Sequence, residues 1–391
     1  MAKIQEFYKG RRKARNYALI PFVITLAVLA AVMVTFYGLQ KYAVITEEGV
    51  SIQLPILADK SQVTVDEEGN EIRVFETVET ELKFDDPDYS HIKATAGRYL
   101  TGIKAIFVPA EDVTEEKLSE YVGRLSRGNA LILEMKPRSG QLLWSSNSIM
   151  AQNYALSPDP GQSVMMRRLI GNMKEQAANK SITIAAQISC CIDDLLPTRS
   201  TTVSLRTEYG MNYTDKSGSW LDPYNNDVRI YVAQMVQELW DLGFDEVILA
   251  DVMHPVPEKN EDGSDKINFL YTRDMSTTPT PVNAVCGFAV SVADLIGDDR
   301  DGLLSIYCNS GTALVKADVS NGQDATLFMK LYDRVYYPTD TYAYTFNVED
   351  MQKGMTIGDA HVRLVPVLTN YLFRADNDNA SWVLVDKVAE N

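Results

Sequence analysis

From residue 95 onward the chain alternates short apolar runs with longer amphipathic stretches. The runs Ile103–Val108, Ala130–Met135, Ile182–Ile188, Glu246–Asp251, Leu303–Cys308, Arg334–Tyr337 and Arg363–Leu368 read as strands, and Trp382–Val385 is the least marked, an eighth. Between them Glu115–Ser126, Pro160–Ala178, Val228–Leu242, Ala284–Ile296 and Thr326–Tyr332 carry helical spacing. In the third of these, Val228, Tyr231, Val232, Met235, Val236, Leu239 and Leu242 form one apolar stripe. Asn225 or Asn226 can cap its start, and Gly243 can end it in a left-handed conformation. Strands without polar alternation suit a parallel sheet covered on both faces. Seven or eight of them over some 290 residues predict an α/β fold, a closed (β/α)8 TIM-type barrel, with an open doubly wound sheet as the alternative. Only the polar stretch RADNDNA separates the last two strands, so the barrel is expected to be irregular there.

The N-terminal part has a different pattern. Residues 18–39 contain no charge in 22 positions, enough to span a hydrocarbon core as a helix. Lys9, Arg11, Arg12, Lys13 and Arg15 precede it, and acids dominate after Lys41. The positive-inside rule predicts a cytoplasmic basic tail over 1–17, a transmembrane helix over 18–39, and an extracytoplasmic remainder. A cleaved signal peptide is the alternative, although its apolar core is normally about 7–15 residues. Residues 40–94 read as an acidic stalk with short β-structure, such as Val50–Leu57, and residues 95–391 as the barrel.

Composition narrows the partners. A formal net charge of −16 argues against nucleic acid, since phosphate binding needs a basic surface. The lipid bilayer is expected as a partner through residues 18–39. Four cysteines, Cys190, Cys191, Cys286 and Cys308, allow one or two disulfides or buried free thiols. No Cys/His spacing suggests a metal, and no GxGxxG, GxxxxGK[ST] or GxSxG segment occurs, so neither a metal nor a cofactor is expected.

In a barrel the loops after the strands build the site. Strand two, LILEMK, alternates so that Ile132, Glu134 and Lys136 share a face. Glu134 within an apolar run needs a partner, and Lys136 is the nearest cation. The pair is either a site carboxylate with its counter-ion or a buried structural bridge. The following strand ends supply Gln187 with Asp193 and Asp194 in the loop beyond it, then Asp251 and His254, then Asn309, then Tyr337 and Asp340. Paired carboxylates are what glycoside hydrolysis needs: one protonates the leaving oxygen, the other attacks or activates water. Trp144, Trp220, Tyr224, Tyr336, Tyr337 and Tyr342 fall near the same loops, where they can stack on sugars or pack the loops.

The segments KAIFVP, NALILEMKPRSGQLLW, SITIAAQIS, SWLDPYNNDVRIY, GFDEVILADVMHP and NGQDATLFMKLYDRVYYPTD together resemble a family of glycoside hydrolase (β/α)8 barrels, whose members are often membrane-anchored or secreted bacterial proteins. The resemblance covers roughly residues 95–391, and W-x-D-P-Y and G-F-D-E are its specific parts. It implies that Glu134 and Lys136 match a family aspartate and lysine, and that Asp222 and Tyr224 match its D-P-Y. The family reads close to F-D-Y-I-R-F-P after G-F-D-E. Aligned without a gap, Ala250 falls at that aspartate, Asp251 at the tyrosine, Met253 at the arginine and His254 at the phenylalanine. Gln187 stands where an arginine is expected. A one-residue shift turns Asp251 to the opposite face unless a bulge restores it. The expectation is a membrane-anchored hydrolase of cell-envelope or extracellular glycan. Its catalytic pair would be Glu134 and Asp251, with Lys136, Gln187, Asp222, Tyr224, His254, Asn309, Tyr337 and Asp340 binding substrate. The alternative is an inactive barrel that binds glycan or an envelope protein.

Overall fold

The computed structural model describes residues 100–385 apart from 159–160, 177, 179, 273–279, 340–361 and 369–380, together with Ile92 and four short strands before it. The chain divides into two units, Met1–Phe84 and Asp85–Asn391. In the first, Ala43–Thr46 pairs antiparallel with Gly49–Ile52, and Gln62–Val65 with Glu71–Val74. The apolar segment 18–39 and the polar stretch between the last two strands lie outside the described residues. Among the described residues no helix is long and apolar enough to cross a membrane.

The second unit is a closed barrel of eight parallel strands. They are β1 (Lys104–Val108), β2 (Asn129–Lys136), β3 (Thr183–Ser189), β4 (Glu246–Ala250), β5 (Leu303–Tyr307), β6 (Val335–Thr339), β7 (Leu364–Leu368) and β8 (Trp382–Val385). Trp382 pairs with Lys104 and Val385 with Phe107, so β8 closes onto β1 and the open-sheet alternative is excluded. Five helices follow the expected stripes: α1 (Glu115–Arg124), α2 (Gln162–Gln176), α3 (Asn226–Leu242), α4 (Pro281–Ile296) and α5 (Ala325–Leu331).

Local chemistry explains the boundaries. The Asn225 side chain accepts from Asp227 N and Val228 N, satisfying donors that the first turn of α3 leaves free. Gly243 ends α3 at φ 109°, a conformation that costs other residues the Cβ clash. Thr280 caps α4 in the same way, with Pro281 at its first position.

Two apolar layers result. Val247 and Leu249 face the helices, in a large cluster with Val232, Val236 and Leu239 of α3. The barrel interior holds Ile132, Ile248, Tyr336, Val365 and Val383, beside Ala105, Ala130 and Ala185. Each fully buried aliphatic side chain contributes about 1.5–3 kcal/mol. All four cysteines are buried and free, so the disulfide option is not taken.

The amino end of the barrel is sealed by a polar knot. Glu246, fully buried, accepts from Ser305 Oγ (2.6 Å) and Tyr336 Oη (2.8 Å) on Oε1 and pairs with Arg334 Nη1 (2.5 Å) on Oε2. Arg334 Nη2 also donates to Thr101 O at 2.9 Å.

Candidate active site

The carboxyl end opens into a cavity of about 390 Å³ lined by Phe107, Glu134, Arg138, Gln187, Ser189, Ala250, Asp251, Tyr307, Asn309, Val367 and Val385. Each of β1 to β5 contributes a strand residue or the residue just beyond its end. Glu134 and Gln187 are register partners on β2 and β3, which places them at one level of the interior.

Asp251 reaches this cavity through an unusual backbone. β4 stops at Ala250, and Asp251 has φ 54°, in the left-handed region that aspartate tolerates better than most residues. In a regular strand successive carbonyls point to opposite neighbours. Here Ala250 O accepts from Cys190 N (2.9 Å) and Asp251 O from Cys191 N (3.2 Å), so two consecutive carbonyls face the same strand. The chain has rotated by half a pleat. Ala250 and Asp251 both line the cavity in consequence. A single left-handed residue does what a bulge would otherwise do.

A real irregularity lies on β2. The ladder to β3 shifts between Glu134 and Lys136, because Met135 is an extra residue packed into the outer core. Lys136 therefore does not share the cavity face with Glu134, contrary to simple alternation. It is buried, 2.8 Å from Asp193 Oδ2, and donates to Ser189 O at 2.8 Å. Lys136 thus pairs with Asp193 and not with Glu134 as the sequence suggests.

The cation of the cavity is Arg138, which the alternation argument did not reach. Pro137–Gly140 is a tight turn, with Gly140 N donating to Pro137 O at 3.0 Å. Gly140 has φ 85°, and a Cβ there would lie 2.2 Å from Asp193 Oδ1, so the turn requires glycine. Asp194 N binds Arg138 O at 2.8 Å and pins the turn to the next loop. From this base Arg138 forks onto Asp251, Nε to Oδ2 at 3.0 Å and Nη2 to Oδ1 at 2.6 Å. Ser189 Oγ lies 2.8 Å from both Asp251 Oδ2 and Ile192 O, and its one proton serves either. The KPRSG turn signal directly after an apolar strand was the available clue.

The two carboxyls sit in contrasting surroundings. Burial raises the Glu134 pKa, the nearby Glu111 and Asp251 charges push it further, and Ala110 N (3.1 Å) and Arg138 partly oppose this. Asp251 lies in the fork of a guanidinium whose own pKa is raised, chiefly by that hydrogen bond. A protonation-prone acid and an arginine-bound carboxylate thus share one cavity, the pattern expected of an acid/base pair.

Several other expected residues fall elsewhere. Asp222 is fully buried and accepts from Tyr224 N (2.9 Å) and Thr272 N (2.5 Å), clasping the loops after β3 and β4 together. Burial raises its pKa to about 6, against the pull of those amides and Arg229. Tyr224 packs edge-on against Tyr271 at 5.1 Å and reaches Thr280 O at 3.4 Å. His254 is buried in the same loop. Its Nδ1 lies 2.7 Å from Pro255 O, which can only accept, so Nδ1 carries the proton and Nε2 accepts from Tyr271 Oη at 2.9 Å. Burial lowers its pKa to about 4. Tyr337 faces the outer core, because it is Tyr336 whose parity turns inward, and that ring belongs to the knot at the other end. Asp340 and Tyr342 lie outside the described residues. Trp144 and Trp220 are buried in loop packing, and the aromatic walls of the cavity are Phe107 and Tyr307. Gln187, Asn309, Glu134 and Asp251 are the expected residues brought together. Among the described residues no group of three His, Cys, Asp or Glu could hold a metal ion.

A closed (β/α)8 barrel with ionisable groups gathered at the carboxyl ends of its strands defines the class. Residues 105–354 match the family described as "putative glycosyl hydrolase domain", and the chain belongs to that family. Among curated proteins none matches the chain in sequence. Solved structures similar to it include a hypothetical protein from Ruminiclostridium thermocellum (17% identity, 51% of this chain and 96% of that one, TM-score 0.41). An α-galactosidase from Thermus thermophilus is similar at 11% identity over 67% of this chain and 46% of that one, TM-score 0.38. The chain thus corresponds to about half the length of that enzyme. Ega3 of Aspergillus fumigatus, in complex with galactosamine, is similar at 10% identity over 75% and 95%, TM-score 0.38.

Proposed function

We propose that the barrel is a glycoside hydrolase whose catalytic pair is Glu134 and Asp251. The observation that carries this reading is the sharing of one cavity by two carboxyls with opposed environments. Glu134, its pKa raised by burial, is the general acid that protonates the departing glycosidic oxygen. Asp251 is the partner that attacks the anomeric carbon or activates water. Gln187 and Asn309 offer amides to sugar hydroxyls, while Phe107 and Tyr307 supply apolar walls. The test is a screen of cell-envelope and extracellular polysaccharides for new reducing ends, with Glu134→Gln and Asp251→Asn as controls. Full turnover in both variants would exclude this assignment.

A binding-only barrel is the second reading. It draws on one observation: Arg138 and Ser189 engage both oxygens of Asp251. It predicts glycan retention on affinity gels with no products released. The charge pattern around residues 18–39 supports a single-pass anchor, an extracytoplasmic barrel and a glycan of the envelope or surroundings as substrate. Protease added to intact cells should then degrade the barrel. Full protection in cells, with recovery in the soluble fraction after lysis, would overturn that placement.

A further inference from the structure

We propose that Arg138 is a positioning residue that fixes which of the two cavity carboxyls carries the proton, and that it holds Asp251 in its left-handed, inward-facing conformation. This rests on the hydrolase reading above for its catalytic meaning, but not for its geometry.

Three observations converge on Arg138. Its backbone is immobilised by the Pro137–Gly140 turn and by Asp194 N. Its side chain makes two parallel hydrogen bonds to both oxygens of one carboxylate, an arrangement that only a planar fork can make. The carboxylate so gripped belongs to a residue at φ 54°, a conformation that persists only when its surroundings hold it. Ser189 alone cannot hold it, because its single proton is shared with Ile192 O. Lys136 cannot substitute, since it is committed to Asp193 and Ser189 O.

The charges around the pair leave Arg138 the decisive one. Glu134 meets Glu111 from the turn after β1, Asp251 from the end of β4, and Arg138. Asp251 meets Arg138, the Tyr307 ring of β5, and the thiols of Cys190 and Cys191 beyond β3. The thiols and the phenol are neutral at ordinary pH, since burial raises all three. The guanidinium bound to Asp251 biases the pair toward holding a proton on Glu134, the carboxyl that lacks the fork. Without it, two carboxyls face one another and compete for a single proton. No covalent step is involved. The guanidinium stays charged throughout.

The side chain of Arg138 is 47% exposed, so it can be removed without opening the core and its place can be refilled from solution. The experiment compares wild type, Arg138→Ala and Arg138→Lys by ¹³C titration of the labelled Glu134 and Asp251 carboxyls. Rates against pH on a cleaved glycan are measured alongside. Asp251 is expected to take up its proton at higher pH in Arg138→Ala than in wild type. The acid limb of the rate profile should move with it. Arg138→Lys should recover the titration in part but not the rate, because a point charge restores attraction without the fork. Millimolar guanidinium should restore part of the lost kcat in Arg138→Ala, with KM little changed. An unmoved Asp251 titration, or a rate loss that guanidinium leaves untouched while Tm falls, overturns the proposal. Absence of turnover in the wild type would remove the hydrolase reading alone, since the titration needs no substrate.

Discussion

The two ends of this barrel use the same pairing of arginine and carboxylate to different effect. At the amino end Glu246 and Arg334 are almost completely buried, and hydroxyls of Ser305 and Tyr336 fill the remaining sites on the carboxylate. At the carboxyl end Asp251 is nearly buried, Arg138 is half exposed, and a cavity of about 390 Å³ lies beside them. The first arrangement is enclosed, whereas the second borders open space. Burial of the cation, more than the ion pair itself, separates the closed knot from the open cavity. This agrees with the division of barrels into a stabilising bottom and a reactive top.

The sharpest way to break the comparison is at the open end. Glu134→Gln and Asp251→Asn should each lower glycan hydrolysis by about 10²–10⁴-fold while leaving Tm close to wild type, as rates and calorimetry would show. At the closed end the outcome should be reversed. Arg334→Met leaves Glu246 buried and uncompensated, so it should cost about 3–5 kcal/mol in a urea titration. Any effect on rate should follow only from the lost folded fraction. A large, specific kcat effect at Arg334 would erase the distinction.

In the loops of the open end, Asp222 and His254 sharpen it through pH. Asp222 titrates near pH 6 in the folded protein, above the usual carboxylate value, so its contribution is complete below about pH 4 and is lost as pH rises through about 6. His254 titrates near pH 4, below the usual imidazole value, so its contribution is complete above about pH 6.5 and is lost as pH falls through about 4. At about 1.4 kcal/mol per tenfold change in proton affinity, each is worth roughly 3 kcal/mol, and the two slopes oppose one another. Urea midpoints from pH 4 to 7 should therefore be nearly flat in the wild type. Asp222→Asn should become less stable on acidification, and His254→Gln more stable. Parallel curves for all three proteins would show that these groups do not titrate as described. The smallest effect is expected at Tyr224. Tyr224→Phe removes the long bond to Thr280 O and should cost about 1 kcal/mol in a urea titration.

The barrel was legible in the sequence because its determinants are local. Apolar runs without alternation gave the strands, and the Val228–Leu242 stripe, Asn225 and Gly243 gave α3 and its ends. Glu134, Asp251, Gln187 and Asn309 were legible as residues at strand ends. Side-chain direction past the last ladder bond was not. Alternation extends a rule of regular strands into places where one extra residue, Met135, or one positive φ, at Asp251, reverses the parity. Met135 is why Lys136 leaves the cavity face, whereas Tyr337 points outward by ordinary alternation with Tyr336 inward, and His254 packs against Phe269 and Tyr271. Asp222 shows a further limit: a buried acid with a raised pKa can serve loop closure as well as chemistry.

The four buried thiols have a practical consequence. Cys191 and Cys308 titrate near pH 12, so at neutral pH they are protonated and shielded from alkylating reagents. They lie in the core that joins strands to helices. Uptake of a thiol reagent would therefore act as a clock for opening of the barrel core, readable in a crude lysate without purification.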